Sequence, residues 1–414
     1  MFENFISPGS NCLVTSSLEK HGQEEGCLME NFLSFEVMVK TDGDTAYGAC
    51  KEFNALFRID LKTGRCTYLK MFPNEAAAGR RLYTSAVLVD SRIYFIPHSA
   101  KNVAVFDVNT LEIFNIHIKK AEPLQYPHYK PVFKFSSGVL YQDYFIYMIC
   151  CTYPAIVRID TRSGETVYYD EWALHNEYAF RRSVCVDGRY IYVSSDMNDV
   201  VLRFDMHTGV GRIYHVGSHN EGCWCICRVN DAFWLAPRYP GAVIKWNPEN
   251  GTCEEFETYP EGFDGREFYF TKIYGRGEKI FLFPGHANMG ITIDCKTGKM
   301  QDAGLDIDMS ESIVDYLCEL DGFYYFEVKG KEAAEYKRIE LSTGKIEAFV
   351  FTFAENIDIY RRDYFEYINK NMKIFREVPN FKVGDFVDYL EVREIEETAA
   401  SKGAQIYKSI VEDL

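Results

Sequence analysis

Hydrophobic and polar positions alternate along short stretches of this chain, and these stretches end in similar ways. In the stretch VLRFDMHTG, Leu202 and Phe204 are two residues apart, which is the spacing of side chains on one face of a β-strand. The carboxylate of Asp205 can accept N–H groups of a turn, and Gly209 can adopt the left-handed backbone that closes a hairpin. The pattern therefore predicts a strand, a tight turn and a second strand.

The same pattern occurs seven times, with these residues at the acid position: Asp60, Asp107, Asp160, Asp205, Asn247, Asp294 and Glu340. Successive copies are 47, 53, 45, 42, 47 and 46 residues apart. Glycine stands four positions after the acid in every copy except the second, which has Leu111. A further hairpin, as in RRSVCVDGRYIYVSS, precedes each copy, so each repeat contains four strands. We interpret the repeated acid as a turn residue and not as a catalytic carboxylate.

Four-stranded repeats of this length favour an all-β fold, a seven-bladed β-propeller over residues 34–353. The period is too long for one rung of a parallel solenoid, and seven copies are too many for one β-sandwich. A six-bladed ring with an additional hairpin is the remaining alternative. Five copies also carry a base two residues before the acid, where base and acid can pair along the strand, and we expect these bases to be structural. These bases are Arg58, Arg158, Arg203, Lys245 and Arg338.

The two ends of the chain depart from the repeat. Residues 1–33 form a short N-terminal segment that we expect to be a helix or a strand that closes the ring. Cys12 would lie in the first turn of that helix, where a thiol pKa is lowered, but no partner histidine is identified. Residues 354–414 have helical spacing, with Ile406, Ile410 and Leu414 on one stripe, and predict a helical C-terminal appendage. Either end can supply the closing strand.

Charge and composition narrow the classes of partner. The formal net charge of −16 argues against nucleic-acid binding, which requires a dense basic surface. The N-terminal sequence has no basic and apolar signal pattern, and no apolar stretch is long enough to span a membrane. The 13 cysteines include no CxxC pair and are typical of reduced thiols, so we expect a cytoplasmic protein without a membrane partner.

Local motifs identify no catalytic residue, metal ligand or cofactor. The chain contains no HExxH, no GxSxG and no glycine-rich phosphate loop, so we expect no cofactor and no metal. The strand CWCIC holds Cys223, Cys225 and Cys227 at a spacing of two, which places them on one face. A straight strand does not wrap a metal as a CxxC knuckle does, so we expect these cysteines to pack between blades.

Candidate binding residues lie where the repeat stops being regular. We expect them on the propeller face that carries the loops between second and third strands and the connections between blades. They are Arg81, His98, Arg181, Arg182, Glu221, Arg238, Arg266 and His286. Arginine forks suit carboxylates and phosphates, so this mouth predicts a pocket for an anionic small molecule or a sugar. The alternative is that these arginines pair with nearby acids and tie the blades together.

At the level of IYVSSDMNDVVLRFDMHTG, the repeats resemble blades of the kelch, YVTN and streptogramin-lyase group of propellers. The resemblance covers most of residues 34–353 and implies the fold rather than an activity. The lyases of that group open a cyclic ester at a metal and histidine centre. No matching motif is found here, and His98, His286 and Glu221 are the nearest candidates by position alone.

Three functions therefore stay open. The first is a non-enzymatic propeller that binds an anionic ligand, plausibly a sugar, with a possible protein partner bound through the C-terminal helices. The second is a metal-assisted lyase or hydrolase that acts at the same face. The third is a pure protein-interaction scaffold in which the arginines only join the blades.

Overall fold

The computed structural model describes residues 34–124, 133–170, 180–218, 222–266, 269–305, 307, 313–329, 334–353, 359–360 and 362–363. Within them the chain forms 29 strands and seven sheets, each sheet being one blade of a ring. Every blade consists of four consecutive antiparallel strands. The first strand of each blade is innermost, and it packs against the first strands of the neighbouring blades. The fold is therefore an all-β, seven-bladed propeller, and the six-bladed, sandwich and solenoid alternatives are wrong.

The strands of blades 1 to 4 are β1 Phe35–Lys40, β2 Thr45–Cys50, β3 Leu56–Asp60, β4 Arg65–Lys70; β5 Tyr83–Val89, β6 Arg92–Pro97, β7 Val103–Asp107, β8 Ile113–Ile116; β9 Phe135–Tyr141, β10 Phe145–Cys150, β11 Ile156–Asp160, β12 Thr166–Tyr169; β13 Phe180–Asp187, β14 Tyr190–Ser195, β15 Val200–Asp205 and β16 Gly211–His215. Those of blades 5 to 7 are β17 Cys223–Val229, β18 Ala232–Pro237, β19 Val243–Trp246, β20 Cys253–Phe256; β21 Phe270–Arg276, β22 Lys279–Pro284, β23 Ile291–Asp294, β24 Met300–Asp302; β25 Ile313–Leu320, β26 Phe323–Lys329, β27 Ala334–Glu340 and β28 Ile346–Ala348. A last strand, β29 Thr352–Phe353, follows blade 7.

All seven copies of the repeated pattern form the turn between the third and fourth strands of a blade. In blade 1, Asp60 Oδ1 accepts the N–H groups of Lys62 and Thr63 at 2.9 and 3.0 Å. Gly64 has φ of 73° and donates its N–H to the Asp60 carbonyl at 2.8 Å. In blade 2, Leu111 adopts the same left-handed backbone with φ of 59°, although it has a side chain. The acids are turn residues, as predicted.

Four of the five bases two residues before these acids have partners other than the acids. Arg158 and Arg203 lie over the rings of Phe145 and Tyr190 at 4.4 and 4.8 Å. Arg338 lies over the Phe323 ring at 4.4 Å and pairs with Glu347, and Lys245 pairs with Glu254 at 2.9 Å. In the described blades none of the five bases pairs with the acid that follows it. The predicted pairing is wrong because the side chain reaches across to a neighbouring strand more easily than along its own.

The hydrophobic core lies between the blades. Six clusters of buried side chains each join two consecutive blades, from blades 1 and 2 to blades 6 and 7. Trp234 and Trp246 are 1% and 2% exposed and belong to the clusters on opposite sides of blade 5. Burial of one large apolar side chain stabilises a fold by about 1.5–3 kcal/mol. Because each blade presents an apolar face to both neighbours, the blades are stable only as a ring.

The ring closes where blade 7 meets blade 1. The segment 349–353 leaves blade 7, and β29 pairs in parallel with β4 on the outer edge of blade 1. Phe351 is 2% exposed and contacts Phe35 of blade 1 and Tyr325 of blade 7, with ring centroids 5.0 and 5.8 Å apart. Lys40 and Asp321 form an ion pair of 2.5 Å across the same junction. The closing strand therefore comes from the residues after blade 7.

The chain consists of two compact units. One is Leu33–Ile357, which contains the ring, and the other is Met1–Phe32 together with Asp358–Leu414. Of the second unit the structure describes only residues 359–360 and 362–363. The predicted N-terminal segment with Cys12, and nearly all of the predicted helical appendage, lie outside the described residues and stay predictions. No helix among the residues described has the length and apolar character that a membrane crossing requires.

Replacement of Gly64 by alanine tests the closing segment. An added Cβ would meet the carbonyl of Val350, whereas at Gly164, which has nearly the same backbone with φ of 75°, it would meet nothing within 4 Å. We expect G164A to lose about 1–2 kcal/mol of stability from the left-handed backbone alone. G64A should lose about 1–3 kcal/mol more because the closing segment is displaced. Urea unfolding of both variants measures the difference, and equal losses would contradict this account of ring closure.

The acid sensitivity of the turns can be measured at Asp160. Its hydrogen bonds with Arg162 lower the pKa of this carboxyl from 3.8 to about 2. The ionised carboxylate therefore stabilises the folded state above about pH 4, and this stabilisation is lost as the pH falls from about 4 to about 2. We expect D160N to lower the melting temperature at neutral pH and to flatten its decline between pH 4 and pH 2.

The matched control for this measurement is D143N. Asp143 lies in the turn between β9 and β10 of the same blade, with φ of 60°, and its carboxylate has no ion pair or hydrogen bond in the described chain. D143N should follow the wild-type pH dependence. If D160N also does so, the turn carboxylate does not contribute to acid sensitivity.

Candidate functional site

The two faces of the ring differ in what they carry. Hairpin turns after the first and third strands form the turn face, and the other connections form the loop face. The loop face comprises the described parts of residues 51–55, 71–82, 98–102, 117–134, 151–155, 170–179, 196–199, 216–222, 238–242, 257–269, 285–290 and 303–312. Arg81, His98, Arg238, Arg266 and His286 all lie there. Arg181 and Arg182 belong to β13, but their side chains, like Glu221 as a whole, lie outside the described residues.

Arg81 and His98 belong to one group, at blades 1 and 2. The His98 N–H donates to the Leu82 carbonyl at 2.8 Å, directly beside Arg81. Arg81 Nε lies 3.6 Å from Glu36 Oε2, and the preceding Arg80 pairs with Glu52. These arginines join the connection between the blades to acids of blade 1. Their geometry is that of residues that tie blades together.

His98 lies among buried polar groups. It is 8% exposed, and its ring stacks on Phe133 with centroids 3.8 Å apart. Beside it, Lys134 Nζ donates to the Ala100 carbonyl at 2.6 Å, and Glu75 accepts the Lys101 N–H at 2.7 Å. Burial raises the pKa of Glu75 and lowers the pKa of Lys134, since each charged form loses its water. These contacts hold the loop of blade 2 in place.

Arg238, Arg266 and His286 belong to a second group, at blades 5 and 6. The Arg238 carbonyl accepts the Tyr269 N–H at 3.1 Å, and the Tyr269 carbonyl accepts the Gly285 N–H, next to His286, at 2.9 Å. Arg266 has a left-handed backbone with φ of 53°, and its N–H donates to Asp264 Oδ1 at 3.0 Å. The structure therefore brings these three loops together, in different blades from Arg81 and His98.

The side chain of Arg238 is the centre of the strongest candidate site. Its guanidinium lies over the rings of Trp224 and Tyr239, 4.5 and 4.9 Å from their centroids. Nη1 donates to Asp196 Oδ2 of the neighbouring blade at 3.0 Å, and the Asp196 side chain is only 3% exposed. Arg238 Nε is buried and has no hydrogen-bond partner among the described residues. Tyr239 is 50% exposed, so one ring of the cluster faces solvent.

Local sequence explains why these groups meet. β18 ends at Pro237, and the following Tyr239-Pro240-Gly241 turn is held by a hydrogen bond of 2.9 Å from the Tyr259 hydroxyl to the Gly241 carbonyl. Trp224 stands at a β-bulge, because the register between β17 and β18 shifts between Cys223 and Cys225. A bulge re-aims the side chain at that position. The sequence drew attention to Arg238, but the contribution of Trp224 depends on a bulge that alternation does not predict.

The same bulge corrects the prediction for the cysteines of CWCIC. Cys223 packs into the cluster between blades 4 and 5, whereas Cys225 and Cys227 pack against the cluster between blades 5 and 6. The three side chains therefore do not share one face, since the extra residue shifts Cys223 out of phase. Burial raises the pKa of Cys227 well above its usual range. In the described part of the chain no three His, Cys, Asp or Glu side chains are grouped as metal ligands.

Comparisons with known proteins support the fold alone. No protein-family model and no curated protein sequence matches the chain. The chain is similar to a catalytically inactive virginiamycin B lyase from Staphylococcus aureus solved with quinupristin, at 14% identity and a TM-score of 0.52, over 72% of this chain and 92% of the lyase. It is also similar to a computationally designed protein, Ika8, at 11% identity and a TM-score of 0.51, over 78% and 90% of the two chains. A streptogramin B lyase structure matches at 13% identity and a TM-score of 0.50, over 72% of this chain and 90% of that one. The fold-level resemblance to streptogramin lyases is confirmed.

Gly222 allows the backbone to approach the Asp196 loop closely, and its replacement tests the packing of this site. A Cβ on Gly222 would fall on the backbone of Asp196 and Met197, which cannot move without displacing the Asp196 loop. We expect G222A to destabilise the fold by about 1–3 kcal/mol, as overpacking does. Gly217, in the same connection, provides the control, because its Cβ would meet the side chains of Ile244 and Asp199 at 3.1 and 3.2 Å. G217A should cost less in urea unfolding, and equal costs would contradict the close backbone approach.

Proposed function

We propose that this propeller is a non-enzymatic binding protein whose loop face holds an acidic sugar at Arg238. The observation that carries the proposal is the arrangement of one guanidinium between two aromatic rings, with a buried acid and an unpartnered Nε. Binding sites for small molecules combine aromatic walls with a few polar groups that fix orientation. This cluster has that composition.

Each part of the cluster has a role toward such a ligand. The ring of Tyr239 is exposed and can pack against the apolar C–H face of a pyranose, which is a contact that amphipathic aromatic residues favour. The Arg238 side chain is 28% exposed, so a carboxylate can reach its edge and form charge-assisted hydrogen bonds. Asp196 orients the guanidinium by accepting a hydrogen bond from Nη1. An acidic sugar satisfies both the ring and the cation.

Charge supports an acidic ligand at this position rather than elsewhere on the loop face. Arg80 and Arg81 are matched one to one with Glu52 and Glu36, which leaves little unbalanced positive charge at blades 1 and 2. Arg238 also pairs with an acid, Asp196, but the two aromatic rings cover part of its guanidinium and reduce its contact with water, which strengthens its attraction for an anion. We also propose that the protein is cytoplasmic and that its C-terminal residues bind a protein partner.

Binding can be measured by isothermal titration and thermal shift with glucuronate and galacturonate, with glucose as the neutral control. A ligand at about one hundred times its dissociation constant stabilises the folded state by about 2.7 kcal/mol. We expect R238A to weaken uronate binding about tenfold to a hundredfold, because a hydrogen bond to a charged group contributes about 1.5–3 kcal/mol. Y239A should weaken binding of all sugars that bind, and because Tyr239 is exposed it should leave the melting temperature nearly unchanged.

The matched control is R228A. Arg228 also lies over an aromatic ring, Phe233 at 5.9 Å, and pairs with an acid, Asp187, but at the turn face. R228A should bind uronates as the wild type does. Equal weakening by R228A and R238A, or no binding by the wild type, would overturn the proposal. Consumption of the sugar, followed by NMR of the ligand, would favour the lyase or hydrolase instead.

A further inference from the structure

A second concave site lies on the opposite face of the ring, between blades 1 and 2. It is a groove of about 640 Å³ on the turn face. Its lining residues are Thr41, Asp42, Asp44, Thr45, Tyr47, Arg58, Asp60, Arg65, Thr67 and Val108. A volume of this size lies within the range of small-molecule pockets. The groove shares no residue with the loop-face cluster, so the two sites are independent.

The groove exists because blade 1 departs from the repeat around its base, Arg58. In blades 3, 4 and 7, the residue paired with the turn acid on the second strand is aromatic and covers the base: Phe145, Tyr190 and Phe323. In blade 1 the residue paired with Asp60 is Thr45. A threonine is too short to cover the guanidinium, so the space that the ring would fill is open.

The fourth strand of blade 1 departs from the repeat in the same way. In blades 5 and 7 the residue paired with the base on the fourth strand is an acid that forms an ion pair, Glu254 with Lys245 and Glu347 with Arg338. In blade 1 the residue paired with Arg58 is Thr67. Blade 1 therefore lacks both the ring that covers the base in blades 3, 4 and 7 and the acid that pairs with the base in blades 5 and 7.

These two substitutions leave Arg58 available. The residue is exposed, and its guanidinium forms no ion pair and stacks on no ring within the described chain. In the sheet Arg58 is paired with Thr67 on β4 and with Tyr47 on β2, and Thr45, which is paired with Asp60, is the next residue on the same face of β2. Other blades cover the equivalent cation, and the fold has no structural need for an open one here.

Carboxylates line the same groove as the guanidinium. Asp42 and Asp44 lie in the exposed turn between β1 and β2, and neither forms an ion pair in the described chain. Arg58 and Asp42 both act on the hydroxyl of Tyr47 at the floor of the groove. Burial raises the Tyr47 pKa, Arg58 lowers it and Asp42 raises it. Arg65 and the turn acid Asp60 also line the groove, which therefore presents both cations and anions around one phenol.

We infer that this groove binds a small zwitterion, an α-amino acid or a dipeptide. A planar guanidinium pairs with a carboxylate through two parallel hydrogen bonds, and free carboxylates are suited to an ammonium group. The threonine hydroxyls donate to or accept from either end of the ligand. A simple anion would be repelled by the aspartates, and a simple cation by Arg58, so the mixed charge favours a ligand with both.

A smaller groove of about 300 Å³ lies on the other side of blade 1, next to blade 7, where the residues that cover the base are present. It is lined by Asp44, Phe323 and Arg338, among others. There the Arg338 guanidinium already lies between the rings of Phe323 and Phe349 and pairs with Glu347. That groove offers no open guanidinium, so we assign the ligand to the groove at Arg58.

Titration of the full chain with alanyl-alanine tests this inference. We expect saturable binding by the wild type, weakened about tenfold or more when the dipeptide is N-acetylated or C-amidated, because each change removes one charge. T45F restores the aromatic residue of the other blades and should abolish binding without lowering the melting temperature. T45S keeps the hydroxyl and the open space and should bind as the wild type does.

R58A gives an independent variant, since Arg58 is exposed and supports no other described side chain. It should lose binding of the dipeptide but not the binding of uronates at the loop face. Absence of saturable binding by the wild type, or unchanged binding by both T45F and R58A, would overturn the assignment. Equal binding of the capped and free dipeptides would overturn the zwitterion and indicate that the groove recognises only the peptide.

Discussion

The structure depends on the burial of apolar side chains between neighbouring blades. A single four-stranded sheet of this chain has aromatic and aliphatic residues on both faces, and Trp234 and Trp246 show this for blade 5. Neither face can be buried within the blade, so each blade requires two neighbours. A ring satisfies every blade once its ends meet, and here the closing segment with Phe351 covers the last junction. Closure is therefore a thermodynamic requirement of the repeat rather than an addition to it.

Once the ring is closed, the scaffold leaves its loops and a few strand positions free to vary. The turn-face site lies where two positions depart from the repeat, since Thr45 and Thr67 replace the ring and the acid that cover other bases. At the loop face Trp224 stands at a β-bulge that recurs in the first strands of blades 1, 2 and 6, and the side chains around it differ from blade to blade. In each case the side chain of an arginine, Arg238 or Arg58, is at least partly exposed to solvent. In a repeat protein, the other repeats show which residue is usual at a position, so a position that differs from them is a candidate functional position.

The sequence predicted the ring, the seven turns and the loop face well, because these follow from alternation and turn chemistry within about ten residues of one another. It did not predict the partners of Arg158, Arg203 and Arg338, since these lie on other strands and depend on register. It also placed Cys223 on the wrong face, because an extra residue at a bulge reverses the side-chain phase without a clear sequence signal. Trp224 was missed as a site residue for the same reason.

By itself, the sequence determined the repeat, its seven copies, their period and the chemistry of the turns, because all of these are local, and the structure decided for seven blades over six. The tertiary structure decided which arginines are satisfied and which are open: Arg81 is paired with Glu36, Arg238 lies between two rings, and Arg58 is uncovered. It also decided that the closing strand is β29, paired with β4 from almost three hundred residues earlier in the chain. The physical reason is that a charge needs a partner, and a strand edge needs a neighbouring strand, that is near in space. The sequence brings such groups together only through the packing of the whole ring.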